Sequence, residues 1–146
     1  TRLEKHYLAV VHGKWPRRKQ HVDAPLVKNT LKSGERVSSV SSEGKSALTR
    51  ISVLEQSADF SLLAMQPVTG RTHQLRVHCQ HTGYPIVGDE KYGYEEQDAQ
   101  LKRLGVRRLM LHASRLVIPA TEPGEKTIRV EAPAGNSFQK MTEMIK

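Results

Sequence analysis

Cysteine occurs once in this chain, at Cys79, so no internal disulfide can form and no thiolate-rich metal cluster can assemble. A chain without disulfides fits a reducing cytoplasm, which is the expected location. Aromatic residues make up only 5% of the sequence, too few for a surface built mainly on stacking the bases of single strands. There is no apolar run long enough to span a bilayer and no signal-peptide pattern. No membrane partner is therefore expected. Acidic side chains are also scarce, 15 against 23 lysines and arginines, for a formal charge of +8. A basic excess of that size favours a polyanion as partner, because each cation placed on a phosphate releases a counterion.

With 146 residues the chain has the length of one ordinary domain, and such a domain buries roughly two-thirds of its unfolded surface. Neither repeats nor a long linker divide it. "KHYLAVVHG" places Tyr7, Ala9 and Val11 on one face and Leu8 and Val10 on the other, the pattern of an interior strand. "WPRRKQH" follows as a basic loop around Pro16, and the stretch from Asp23 to Gly44 reads as irregular and surface-wrapping. "TRISVLEQ" and "DFSLLAMQPV" form a predicted hairpin around "SAD". Thr72 is placed to cap a helix carrying Leu75, Cys79 and Thr82 at helical spacing, with Gly83 as its terminating residue. "YEEQDAQLKRLG" has acids early and bases late and stops at Gly105, as a short helix should. "RLMLHASRLVI" and "KTIRVEA" read as strands. "NSFQKMTEMIK" reads as a helix with Phe138, Met141 and Ile145 on one face. The expected class is α+β, with a mixed, largely antiparallel sheet and short helices. A monomer is expected.

Several chemistries fail on spacing. "EGKSA" ends like a phosphate loop, but the earlier glycine would fall at Ser39. His73 and His78 stand five apart, which misses the i, i+4 geometry of a zinc helix. No G-x-S-x-G elbow is present. Asp89 in "VGDEKYG" is a conceivable nucleophile, although a turn aspartate before Lys91 is more often structural. The segment from Arg71 to Arg76 remains. An arginine fork suits phosphates and carboxylates, and these two arginines cannot share a helix face. One could hold a phosphate near the helix start while the other points inward at a carboxylate; both could equally be solvent-exposed.

"PVTGRTHQLRVHCQHTGYPIVGDEKYG", Pro67 to Gly93, resembles the signature of the RNA pseudouridine synthases of the RluA type. "EKHYLAVVHG", "LTRISVLE", "RRLMLHASRLVI" and "IRVEAP" fit the same family in the same order, so the resemblance spans nearly the whole chain. "APLVKNTLKSGER" narrows it to members acting on large-subunit ribosomal RNA, the expected partner. One departure is large. The family's nucleophilic aspartate sits in an H-R-L-D motif, and no such motif occurs in these 146 residues. The chain, residues 1–146, is thus expected to be the C-terminal portion of a catalytic domain, without the aspartate-bearing segment and inactive by itself.

The resemblance implies isomerisation of specific uridines in that RNA. The base is extruded from its stack, detached from ribose at N1, turned and rejoined through C5. It implies that Arg76 pairs with the aspartate and keeps it ionised. Leu75 is then an apolar pocket residue and Tyr7 stacks on the flipped base. Arg71, His73 and Gln74 of the signature are implied to contact substrate. No cofactor and no metal are implied, since nothing is oxidised or reduced. Arg17, Arg18 and Lys19, the densest basic cluster, are the candidate RNA-contacting loop, or else a solvated surface. The alternative is an RNA-binding module without chemistry, which would have no use for Tyr7 and Arg76 on a common pocket. Isolated from its aspartate, Arg76 is expected to face the cleft unpaired.

Overall fold

A computed structural model describes residues 3–145. The eleven elements follow in the order β1 (Glu4–His12), β2 (His21–Asp23), β3 (Leu26–Thr30), β4 (Arg36–Val40), β5 (Leu48–Gln56), β6 (Phe60–Pro67), α1 (Gln74–Thr82), α2 (Glu95–Arg103), β7 (Leu111–Ile118), β8 (Ile128–Glu131) and α3 (Asn136–Ile145). Six strands form one sheet in the order β2-β5-β6-β1-β7-β8, and every pair in it is antiparallel. The expected α+β class is the one observed.

β1 lies inside the sheet because both its faces carry apolar side chains. Ala9, Val10 and Val11 are all fully buried. Tyr7 stands opposite Met65 on β6 and Ala113 on β7. The register with β7 slips between His6 and Tyr7, leaving Ser114 as an extra residue whose hydroxyl donates to the His6 carbonyl. A bulge of this kind bends a strand and re-aims its neighbours, and here it adjoins Tyr7. β5 and β6 form the expected hairpin. α1 packs on β5 and β6, while α3 turns Phe138, Met141 and Ile145 into the core as its sequence pattern predicts.

Two expectations are corrected. The stretch from Asp23 to Gly44 is not irregular: β3 and β4 pair from Leu26↔Val40 to Thr30↔Arg36 as a separate ribbon. Its polar, mostly exposed strands hide the alternation that marks a strand in sequence. Only Leu26 and Ser38 are buried, and the Ser38 amide donates to the Tyr92 hydroxyl. Thr72 does not cap α1. The helix begins after His73, which sits in the left-handed region at φ 53° and makes no side-chain cap. The Thr72 carbonyl is held by the Ser38 hydroxyl, and Gln74 Oε1 takes the Arg71 amide, which lies ahead of the helix.

The far end of α1 follows expectation. Gly83 has φ 96°, its amide donates to Gln80 O and the Tyr84 amide donates to Cys79 O. Gly88 also needs its conformation, at φ 80°, but a Cβ there would lie 2.2 Å from the Arg108 carbonyl oxygen. At Gly83 a Cβ meets nothing within 4 Å. Gly83→Ala should therefore lose about 1–2 kcal/mol from backbone conformation alone. Gly88→Ala should lose clearly more, because backbone must move. Urea unfolding of the two variants measures the difference.

Candidate functional site

β1 and the segment that opens α1 meet at a cavity of about 260 Å³ whose walls include Tyr7, Arg71, His73, Gln74, Leu75 and Arg76. All six residues singled out by the sequence around this site are thus brought together. Lys5 and Leu111 complete the wall on the β1–β7 side. Arg17, Arg18 and Lys19 are not part of it. They occupy the exposed loop after β1, which Trp15 anchors by burying its ring and donating Nε1–H to Lys19 O. Arg17 Nε donates to Gln56 Oε1 at 3.0 Å.

Arg76 is not unpaired. Its Nε and Nη2 donate to the two oxygens of Asp89 at 2.9 and 2.8 Å, a bidentate fork. Asp89 is 2% exposed and its Oδ1 also accepts the Lys91 and Tyr92 amides. It is therefore the turn aspartate anticipated, and it pairs with the Arg76 that was expected to be unpaired; it is a separate group from the nucleophilic aspartate that the resemblance implies. Sequence proximity of "GDEKYG" to the signature was the available signal; the missing piece was that the turn folds back under α1. The Asp89 hydrogen bonds, opposed by desolvation, hold the Arg76 guanidinium above its ordinary pKa. Its charge also lies 5.2 Å from the centre of the Tyr92 ring. A guanidinium has five N–H donors, so both N–H groups of Nη1 and one of Nη2 remain for another acceptor.

Gln74 has no such capacity. It is 3% exposed, its Oε1 accepts from Thr69 Oγ1 and the Arg71 amide, and its Nε2 donates to Leu48 O and Thr49 Oγ1. Gln74 lines the cavity, but the polar atoms of its side chain are already engaged by the scaffold. The chain continues inward: Thr49 Oγ1 lies 2.8 Å from His78 Nδ1, and His78 Nε2 lies 2.9 Å from Ala24 O. The Ala24 carbonyl can only accept, so Nε2 carries the proton and Nδ1 accepts from Thr49. Burial holds His78 below its ordinary pKa, ahead of the opposing bond to Ala24. Neither Thr49 nor His78 was identified as part of this network from sequence.

Arg71 anchors its Nε on Ser46 O, and its remaining nitrogens have no protein partner among the described residues. Leu75 is 6% exposed and packs in the main core, presenting only its edge to the cavity. Among the described residues no three His, Cys, Asp or Glu side chains converge as metal ligands. Cys79 is fully buried and its thiol is pushed well above the ordinary range by desolvation, so it is no nucleophile.

A family model described as RNA pseudouridylate synthase matches residues 1–81. The chain belongs to the RNA pseudouridylate synthase family. Within it, the chain is 47% identical over 137 residues to ribosomal large subunit pseudouridine synthase C of Yersinia pestis, covering 94% of this chain and 42% of that protein. It is 44% identical over 147 positions to the protein of the same name from Escherichia coli K12, covering 99% and 46%. The chain thus spans less than half the length of these curated relatives. Human RNA pseudouridylate synthase domain containing 1 superposes with a TM-score of 0.71 at 31% identity, over 91% of this chain and 55% of that one. The human domain containing 4 protein gives 0.71 at 27%, over 97% and 61%. The signature from Pro67 to Gly93 is the stretch of this family chain that builds α1 and the buried fork.

Removing one partner of a buried pair costs about 3–5 kcal/mol, since the other charge stays uncompensated. Arg76→Ala should lose stability on that scale. Arg76→Lys should recover part of it, with charge but no fork. Arg76→Ala combined with Asp89→Ala should cost less than the sum of the single changes, as measured by denaturant unfolding.

His78 gives a pH signature. Its pKa is lower folded than the 6.5 of a free histidine, so the unfolded chain binds more protons between the two values. Its contribution is complete above about pH 6.5 and declines as pH falls from there through the lowered native value. Stability measured from pH 8 to pH 5 should fall on the acid side, and His78→Gln should flatten that slope while lowering the plateau.

Proposed function

We propose that this chain carries the base-binding wall of an RNA uridine isomerase, one that converts uridines of large-subunit ribosomal RNA to pseudouridine in the cytoplasm. The observation that carries the reading is the convergence of Tyr7, Leu75 and Arg76 on one cavity. An RNA-binding module without chemistry has no need of a stacking ring, an apolar edge and a cation around a single hollow. The relatives' names supply the RNA class. The +8 charge supplies attraction to it, with Arg71 on the cavity wall and Arg17, Arg18 and Lys19 on the exposed loop after β1.

In this reading the flipped uracil enters the cavity and lies against Tyr7, with Leu75 excluding water from one side. The nucleophilic aspartate is contributed from outside these 146 residues and meets the free edge of Arg76. Asp89 occupies the opposite edge and fixes the guanidinium plane, so the second carboxylate finds donors already oriented. Held in this way, the carboxylate stays ionised. The C1′–N1 bond breaks, the base turns, C5 bonds to C1′, the C5 hydrogen leaves as a proton and N1 takes one up. Substrate and product are isomers, so the balance needs no oxidant or reductant.

The test uses ribosomal RNA tritiated at uridine C5. A protein joining these residues to the family's aspartate-bearing segment should release tritium to water. Tyr7→Ala in that protein should still fold and bind RNA but turn over at least tenfold more slowly, on the scale of losing about 1.4 kcal/mol of transition-state stabilisation. Tyr7→Phe then separates the ring from the hydroxyl. Unchanged release by Tyr7→Ala would remove it from the site. Turnover by the 146-residue chain alone would sink the account.

A further inference from the structure

His73 is the one non-glycine residue among those described that has a positive φ. A left-handed histidine is sustained only where its surroundings over-determine it, and such strain gathers at functional sites. The ring is held by a single polar contact, Nδ1 to the Tyr92 hydroxyl at 2.8 Å. That hydroxyl is buried within a residue that is 7% exposed, and it already accepts the Ser38 amide at 2.9 Å. Its own proton needs an acceptor, and among the described residues only His73 Nδ1 is in reach. Nδ1 must then be bare, and Nε2 must carry the hydrogen of the neutral ring. His73 lines the cavity shared with Tyr7 and Arg76, and Nε2 has no protein partner among the described residues.

We propose that His73 donates its Nε2–H to a carbonyl oxygen of the uracil turned into this cavity, and that Tyr92 is the positioning residue that fixes this tautomer. The proposal rests on the isomerase reading for its ligand. A neutral donor suits a carbonyl and not a phosphate, for which a cation would serve better. Desolvation, then the charges of Arg76 and Lys91, hold His73 below its ordinary pKa against the opposing Asp89 and Glu35. Those four side chains are the charged groups that bear on the ring, so the neutral form persists at neutral pH. Ser38 extends the relay to the β3–β4 ribbon, which makes the ribbon a support for the base pocket and not only a surface flap.

Nitrogen-15 NMR of the histidine rings reads the tautomer directly. In the wild-type chain His73 should show an unprotonated Nδ1 and a protonated Nε2, and Tyr92→Phe should mix the two forms while keeping the ring that packs under Arg76. Adding a uridine oligonucleotide should shift the Nε2–H signal; a cytidine oligonucleotide should shift it less. In the aspartate-bearing protein, His73→Gln keeps a donor near the Nε2 position, whereas His73→Asn tolerates the left-handed backbone but cannot reach. His73→Asn should therefore raise KM about five- to tenfold, the worth of one neutral hydrogen bond, and His73→Gln should recover most of it with kcat little changed. A protonated Nδ1 in the wild-type chain overturns the proposal. So does an Nε2–H signal indifferent to uridine, or a His73→Gln variant no better than His73→Asn. If the wild-type protein leaves uridine unchanged, the isomerase reading falls, while the tautomer and the oligonucleotide shift still decide His73.

Discussion

A carboxylate buried to 2% exposure has to be met by donors on every side, and Asp89 is met from two parts of the chain at once. Arg76 reaches it from α1 with two nitrogens, and the amides of Lys91 and Tyr92 reach it from the turn on which Asp89 itself sits. The Asp89 carbonyl closes the same turn by accepting the Gly93 amide. Unpaired, a charge so placed would cost several kcal/mol. The fork therefore dictates where α1 lies relative to the segment after it. That segment is itself laced to β1, through Val87 N to Val10 O and His12 N to Pro85 O. Tyr7 on β1 and Arg76 on α1 have no direct bond, yet their relative position is fixed through this carboxylate.

Tyr92 carries the constraint outward. Its amide is on Asp89, its ring lies under the Arg76 guanidinium, and its hydroxyl links the Ser38 amide to His73. Gln74 does a parallel task on the other side, tying the Arg71 amide and Thr69 to Thr49 and through it to the buried His78. The signature residues thus divide. His73, Arg71 and the free edge of Arg76 keep unused polar capacity toward the cavity, where Tyr7 of β1 presents its ring. Gln74, Asp89 and His78 are wholly spent on the scaffold. A motif quoted as one string contains both kinds, and only the hydrogen-bond inventory separates them.

Much of the fold was legible because it rests on local rules. The alternation in "KHYLAVVHG", the "SAD" turn, Gly83 after α1 and the Phe138–Met141–Ile145 face each specify their element within a few residues. The failures were non-local. Nothing within β3 or β4 reveals that they pair, because their stabilising contacts are Ala47, Val77 and Tyr92, all outside the ribbon and the last two distant in sequence. Thr72 satisfied the local rule for a cap, yet its carbonyl is held by Ser38 of β4 and the helix starts one residue later, after a left-handed His73. Arg76 was read as lacking a partner because its partner was sought in a motif the chain does not contain, while Asp89 stood thirteen residues on.

The fork also explains why an arginine belongs here and not a lysine. A lysine ammonium could neutralise Asp89 but would leave no oriented donor for a second group, since a point charge on a flexible stem does not hold two acceptors in fixed directions. The planar guanidinium can grip a permanent carboxylate by its Nε–Nη2 edge and keep Nη1 for a transient one. The permanent partner restrains the side chain before the second arrives, so less orientational entropy is lost at the moment of binding. Two carboxylates on one cation repel each other, and that repulsion falls on the incoming group, since Asp89 is secured by two further amides. In the isomerase proposed above, a nucleophile held by one half-shared cation would be ionised yet not fully neutralised, with its electron pairs left available for attack on the sugar or base.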